Sequence, residues 1–293
     1  MKVSGLGGRL AVGLGGIPIA IGAIAYGGWL LTVLVAFLAA AATWELGGLG
    51  EAKGIRVFHS LSMGGSVLLV CLANTFPSFS AWAPWALGVL GLLLFLSAMV
   101  TLRLRTAEER PLLVSALTVL GTLYWGGGFS FAIFLRHYPD WSGWPGAWWL
   151  SPGPVLLAFP IAVTWSSDTS AFIFGSLLGR RKLAPSISPK KSVEGAIASL
   201  LTSILVGGFM GGVFLALDPD RLMSTFWGGG IGALLAITVQ FGDLIESHFK
   251  REAGVKDSGR LFPGHGGALD RFDALVFTLP LAYALVAFLG GVQ

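Results

Sequence analysis

The chain has 293 residues, of which 54% are hydrophobic and 12% are charged, and its formal net charge is +4. Soluble domains carry about 25% charged residues, so a water-soluble globule could not bury so many apolar side chains. Disorder is excluded as well, because it requires low hydrophobicity and high charge. The mean hydropathy of +0.78 predicts an all-α polytopic integral membrane protein.

Nine apolar stretches of about 17 to 26 residues are long enough to cross a bilayer as helices. They are continuous, whereas the strands of a membrane barrel would alternate polar and apolar residues. In chain order the predicted spans are 10–26, 29–49, 58–75, 84–102, 112–135, 153–178, 192–217, 223–247 and 271–290.

We expect one integrated membrane domain in two parts. Residues 1–150 hold spans one to five, which would shape a lipid cavity or complete the scaffold. Residues 151–293 hold spans six to nine and two polar loops, 179–192 and 248–270, which are expected to carry the chemistry.

The basic residues predict the orientation. With a cytoplasmic N-terminus, every Lys and Arg except Arg136 and Arg221 falls on the cytoplasmic side. Such a bias is typical of membrane proteins, and anionic headgroups account for it. Nucleic acid is not an expected partner, because no soluble basic domain exists.

Acidic residues in or beside membrane spans are costly and usually functional. Those that stand out are Asp168, Glu194, Asp243, Glu246, Asp270 and Asp273. Residues three apart share a helix face, so Asp243 pairs with Glu246, and Asp270 with Asp273. The two pairs end one span and begin the next, so they are expected to face each other. Clustered carboxylates repel unless a cation lies between them, and Mg²⁺ prefers such oxygen ligands.

The helix dipole offers another explanation for some of these acids. Asp270 and Asp273 begin a helix, where negative charge is favourable without any metal. Asp243 lies near a helix C-terminus, where negative charge is unfavourable, so a function is favoured there.

The loop 248–270 combines glycine with positive charge. Gly264, Gly266 and Gly267 surround His265 and would bring backbone N–H groups close to an anion. Nearby basic side chains would complete a phosphate cradle. With Cys71 as the single cysteine and no second histidine nearby, a zinc site is not expected.

The loop between spans six and seven is also basic. Ser188 is expected to cap span seven, with Pro189 at its first position. That would present free N–H groups, Lys190 and Lys191 to an anion.

These segments resemble the phosphatidate cytidylyltransferases, also called CDP-diacylglycerol synthases. The resemblance covers about 160–290, and residues 1–150 match only in hydropathy. Ser192 stands where the family commonly has threonine. The matching residues are Asp168–Phe172, Gly175, Gly179, Ser186–Gly195, Ser247, Lys250–Arg251, Lys256–Asp257, Pro263, His265–Gly267 and Asp270–Asp273.

The resemblance implies that CTP and phosphatidic acid react to give CDP-diacylglycerol and pyrophosphate. It implies Mg²⁺, allows a second cation and suggests a homodimer. The placement of charge and the cytosolic location of CTP predict an active site that faces the cytoplasm, and a bacterial inner membrane is expected. The metal is assigned first to Asp243 and Asp270, with Asp273 and Asp257 as weaker candidates. Residues expected to act in catalysis are Asp243, Lys256, Asp257, Asp270 and Arg271. Those expected to bind substrate are Asp168, Lys190, Lys191, Lys250, Arg251 and His265.

Two other functions fit part of the pattern. A CTP-dependent kinase of a polyprenol or phytol-type lipid would use similar groups but attack the γ-phosphorus. An ion or solute transporter would place acids near the membrane midplane, whereas most of these lie at one face. The CDP-alcohol phosphotransferases are disfavoured, because their Asp-Gly-x-x-Ala-Arg pattern is absent.

Overall fold

The computed structural model describes residues 6–138, 151–214, 224–262 and 266–289, with the backbone alone for 6–14. Eleven helices and one hairpin make up this part of the chain. The helices are α1 Leu6–Tyr26, α2 Gly28–Glu51, α3 His59–Thr75, α4 Phe79–Leu104, α5 Pro111–Gly121, α6 Gly128–His137, α7 Pro152–Leu178, α8 Val193–Val213, α9 Thr225–Ala253, α10 Leu269–Phe272 and α11 Leu275–Leu289. A 3₁₀ turn, Ala107–Glu109, precedes α5, and a π-helical turn, Thr122–Gly127, joins α5 to α6.

Seven helical segments of the described chain are long and apolar enough to cross a membrane. They are Gly28–Glu51, Phe79–Leu104, Ala107–His137, Pro152–Leu178, Val193–Val213, Thr225–Ala253 and Leu269–Leu289. The predicted class, an all-α membrane protein, is confirmed. Two shorter apolar helices accompany them: α3 has 17 residues, and the described apolar part of α1 is Gly15–Tyr26.

The start of α8 differs from the prediction. Residues Ser188–Ser192 form strand β2, which pairs antiparallel with β1, Lys182–Ala184. The helix begins at Val193, and its N-cap is Ser192, whose Oγ accepts a hydrogen bond from Gly195 N at 3.2 Å. The prediction that Ser188 caps this helix was therefore wrong, because hairpin pairing holds Ser188 and Pro189 in extended backbone.

By its internal contacts the chain divides into two compact units. The first unit is Met1–Phe134 with Phe249–Phe272. Hydroxyl groups join its helices: Thr43 Oγ1 and Ser66 Oγ lie 2.8 Å apart, and Ser62 Oγ donates to Thr118 O at 2.9 Å. Buried hydroxyls without water must find such partners, so these bonds hold α2, α3 and α5 together.

The second unit is Leu135–His248 with Asp273–Gln293. Buried polar groups join α7, α8 and α9 within it: the Ser167 and Ser199 hydroxyls are hydrogen-bonded, and Gln240 Nε2 donates to Ser199 Oγ at 3.2 Å. Small residues let α8 approach α9 closely. A Cβ at Gly207 would collide with Gly228 O, and one at Gly228 would collide with Gly207 O. The small-residue spacing of Gly207 and Gly211 thus serves packing inside the chain.

Gly228→Ala is expected to lower the free energy of unfolding by about 1–3 kcal/mol, because the methyl group overpacks the α8–α9 interface. The matched control is Gly230→Ala in the same helix, where an added Cβ has no neighbour within 4 Å. The control should be neutral or slightly stabilising, because alanine favours helix. Thermal unfolding in detergent compares the two, and equal midpoints would contradict the close approach.

Candidate active site

Three carboxylates of the second unit converge at one point. Asp243, Glu246 and Asp273 each offer an oxygen within 4.8 Å of the other two, and we call them the acidic triad. Asp243 and Glu246 lie one turn apart on α9, and Asp273 lies two residues before the start of α11. Gly242 permits the approach, because a Cβ there would come within 3.2 Å of Asp273 O.

Lys191 binds the acidic triad from the hairpin. Its Nζ lies 2.7 Å from Asp243 Oδ2 and donates to Gln240 O at 3.4 Å. Ser247 Oγ donates to the other Asp243 oxygen at 3.3 Å. An ammonium group has three donors, so Lys191 keeps one for a further acceptor such as a phosphate oxygen.

The acidic triad suits Mg²⁺ by its donor chemistry. All three ligands are hard carboxylate oxygens, and three negative charges this close together are stabilised by a divalent cation. Glu246 is 3% exposed and Asp243 about a third exposed, so the cluster has a buried side and an accessible side.

A second carboxylate network lies in the first unit, around Glu45 of α2. Glu45 is 6% exposed, and its two oxygens accept hydrogen bonds from Ala268 N at 3.0 Å and Leu269 N at 2.9 Å. Ser258 Oγ lies 2.9 Å from Oε2. A buried carboxylate requires such donors, so Glu45 fastens the loop that follows α9 to the second helix.

Asp270 fastens the same loop from the other side. Its Oδ1 lies 2.7 Å from Lys250 Nζ, and its Oδ2 accepts from Ser258 N and Gly267 N, each at 2.9 Å. Ser258 Oγ is also within 3.0 Å of Oδ2. The single hydroxyl proton of Ser258 is therefore shared between the carboxylates of Glu45 and Asp270.

These contacts explain the glycines of the loop. A Cβ at Gly259 or Gly267 would collide with the Glu45 carboxylate, and one at Gly266 would lie 2.7 Å from Asp270 Oδ2. Gly266 also has φ +89°, which disfavours any other residue. The expected cradle of backbone N–H groups exists at residues 267–269, and in this structure it binds the protein's own carboxylates.

The remaining predicted residues lie at the surface or outside the described chain. Asp168 is exposed on α7. His265 lies outside the described residues. The other exposed side chains among the predicted site residues are Lys190, Arg251, Lys256, Asp257 and Arg271.

Two carboxylates of these networks were not among the predicted site residues. Glu246 was recognised as the partner of Asp243 but not assigned to the metal, and the structure places it with Asp243 and Asp273. Glu45 was not singled out, although it lies inside the predicted span 29–49. The rarity of acids within apolar helices is the signal that would have identified it.

Glu45→Gln is expected to loosen the loop, because an amide has one accepting oxygen and would turn its NH₂ group toward a backbone N–H. An unsatisfied buried donor costs about 1–3 kcal/mol, so amides around 268 and 269 should exchange about 5- to 150-fold faster. Hydrogen–deuterium exchange with mass spectrometry measures this.

Glu51→Gln is the matched control on the same helix, since Glu51 is half exposed and its ion pair within the described chain is with His59. Unchanged exchange of the loop in Glu45→Gln, or equal acceleration in both variants, would contradict the fastening role.

Comparison with known proteins identifies the family of the chain. The model of the Cytidylyltransferase family matches residues 8–289. A phosphatidate cytidylyltransferase of Synechocystis sp. is 33% identical, covering 94% of this chain and 94% of its own length. One from Staphylococcus aureus strain COL is 32% identical over 89% of this chain and 91% of its own. One from Staphylococcus epidermidis is 44% identical over 46% of this chain and half of its own.

The likeness is broader than the motifs indicated. The prediction confined the resemblance to about 160–290, whereas the family model begins at residue 8 and so includes the helix that carries Glu45. The motif residues concentrate in the polar loops, so they did not indicate the likeness of the apolar helices before residue 160. With matches over nearly its whole length, the chain belongs to the Cytidylyltransferase family.

Proposed function

We propose that this protein transfers the cytidylyl group of CTP to phosphatidic acid, giving CDP-diacylglycerol and pyrophosphate. The observation that carries the proposal is the acidic triad with Lys191 on Asp243, because carboxylates with a cation beside them suit metal-assisted phosphate chemistry. The relatives named phosphatidate cytidylyltransferase support the choice of substrates.

The reaction needs alignment more than acid–base catalysis. A phosphate oxygen of the lipid attacks the α-phosphorus of CTP, and the bond from that phosphorus to the bridging β-phosphate oxygen breaks. Pyrophosphate leaves with the bonding electron pair. The nucleophile is already an anion, so the protein's task is to offset the repulsion between two anionic substrates and hold them in line.

We assign Mg²⁺ to the acidic triad, where Asp243, Glu246 and Asp273 would hold it. When bound, it would neutralise charge that develops on the phosphate oxygens. The role of Asp270 as a metal ligand remains a prediction, and so does a second cation. A metal bound to Asp270 would have to replace one of the four donors that contact this carboxylate here. Asp257 remains a predicted indirect contact.

Cationic side chains bind the phosphates in this proposal. Lys191 has a donor left after its contacts with Asp243 and Gln240. Lys190, Arg251, Lys256 and Arg271 are exposed and accessible to an anion from solution. The Lys250 side chain is mostly buried against Asp270, so we propose that it stabilises the loop and offsets the charge of Asp270. Its contact with substrate remains a prediction. His265 and Asp168 keep their predicted roles in substrate binding.

The membrane arrangement completes the proposal. We propose nine spans, with α1 and α3 added to the seven long apolar segments, since 17 residues is the lower limit for crossing a bilayer. The distribution of Lys and Arg supports a cytoplasmic N-terminus and an active site on the cytoplasmic face, where CTP is available. A bacterial inner membrane and a homodimer remain predictions, as does a lipid-cavity or scaffold role for residues 1–150.

The purified protein in mixed micelles with phosphatidic acid, Mg²⁺ and α-labelled CTP is expected to form a labelled lipid and release pyrophosphate. A kinase would instead move label from γ-labelled CTP to a polyprenol acceptor. Absence of labelled lipid with either nucleotide would contradict both reactions and favour the ion or solute transporter.

Asp243→Asn is expected to lower cytidylyl transfer at least 100-fold, because it removes one charge of the acidic triad and the partner of Lys191. Glu252→Gln, on the exposed end of the same helix, is the matched control and should keep normal activity. Binding of Mn²⁺ as a paramagnetic probe should weaken in Asp243→Asn alone. Equal Mn²⁺ affinity in the unmodified protein and both variants would contradict the metal assignment.

A further inference from the structure

A cavity of about 430 Å³ lies within the first unit, beside α2 and α3 and the loop after α9. Its size is that of a small-molecule site. Phe37, Trp44 and Met63 contribute to a largely apolar wall, and Ser258 and Arg260 contribute polar groups. None of the three residues of the acidic triad lines this cavity.

The cavity is polar at one end and apolar along its length. Phe37 and Trp44 are seven residues apart on α2, so the apolar wall extends for about 10 Å along the helix. Glu45, Ser258 and Arg260 mark the end next to the loop. Since α2 is long and apolar enough to cross a membrane, we place the apolar part of the cavity in the hydrocarbon core of the bilayer and its polar end toward a membrane surface.

Arg260 gives the polar end of the cavity a positive charge. Its side chain is exposed, and within the described chain it makes no ion pair or hydrogen bond. Glu45 also borders the cavity, but its oxygens already accept hydrogen bonds from the loop. The group at the cavity that is available for a ligand is therefore a guanidinium, which binds phosphate oxygens in pairs.

We propose that this cavity is the binding site of phosphatidic acid, with one acyl chain along the α2 wall and the lipid phosphate on Arg260. The assignment of phosphatidic acid rests on the proposed function, whereas the amphipathic shape and the available cation come from the cavity itself. A nucleotide fits less well, because its ribose hydroxyls would face Phe37, Trp44 and Met63 without polar partners.

Trp44 offers a direct test, because it lines the cavity and its ring is half exposed. The protein is placed in phosphatidylcholine nanodiscs containing increasing fractions of phosphatidic acid with brominated acyl chains, which quench tryptophan fluorescence. Subtracting the signal of Trp44→Phe isolates this residue from the other tryptophans. The expected result is quenching of Trp44 that saturates with brominated phosphatidic acid and does not saturate with brominated phosphatidylcholine.

Arg260→Ala should raise the half-saturating fraction of phosphatidic acid at least fivefold, and Arg260→Lys should raise it less. Arg103→Ala is the matched control, since Arg103 is an exposed cation on the same predicted side and does not line the cavity. Equal quenching by the two brominated lipids, or saturation that Arg260→Ala leaves unchanged, would overturn the proposal.

The assay with labelled CTP separates this inference from the proposed function. Cytidylyl transfer without selective quenching of Trp44 would refute the binding of phosphatidic acid in this cavity but not the proposed reaction. Selective, Arg260-dependent quenching in a protein that transfers no cytidylyl group would support the cavity and refute the reaction.

Discussion

A carboxylate buried among apolar helices must find hydrogen-bond donors, and the first unit is organised around that requirement. Glu45 is almost fully buried, and the loop after α9 supplies its carboxylate with two backbone N–H groups and a hydroxyl. The loop in turn gains a fixed conformation that its own sequence, rich in glycine, could not maintain. Burial of one charge on α2 thereby determines the backbone of a segment more than 200 residues away in the chain.

The two carboxylate clusters use negative charge differently. Around Glu45 and Asp270 the donors are mostly backbone N–H groups, with Lys250 paired to Asp270, so the carboxylates are satisfied within the protein and the result is a fixed loop. In the acidic triad, three carboxylates meet with Lys191 on one of them. Local excess of negative charge is what a divalent cation requires, so the first cluster suits structure and the second suits metal binding.

Much of this could be predicted from the sequence because membranes impose strong patterns. Length and hydropathy predicted the helical class, and spacing of three residues on α9 predicted that Asp243 and Glu246 share a face. The start of α8 was missed, because pairing between β1 and β2 overrides the capping signal of Ser188. The partner of the glycine-rich loop was missed too, since no local pattern shows which distant helix contributes a carboxylate.

The collision of a Cβ at Gly259 or Gly267 with the Glu45 carboxylate has an evolutionary consequence. A side chain at either glycine position requires a shorter residue at position 45, and a shorter residue there leaves the N–H groups of 268 and 269 without acceptors. Single substitutions are therefore disfavoured in both directions, and these positions are constrained to change together. Among relatives, positions 45, 259 and 267 are expected to covary as a linked set, although helix and loop lie at opposite ends of the chain.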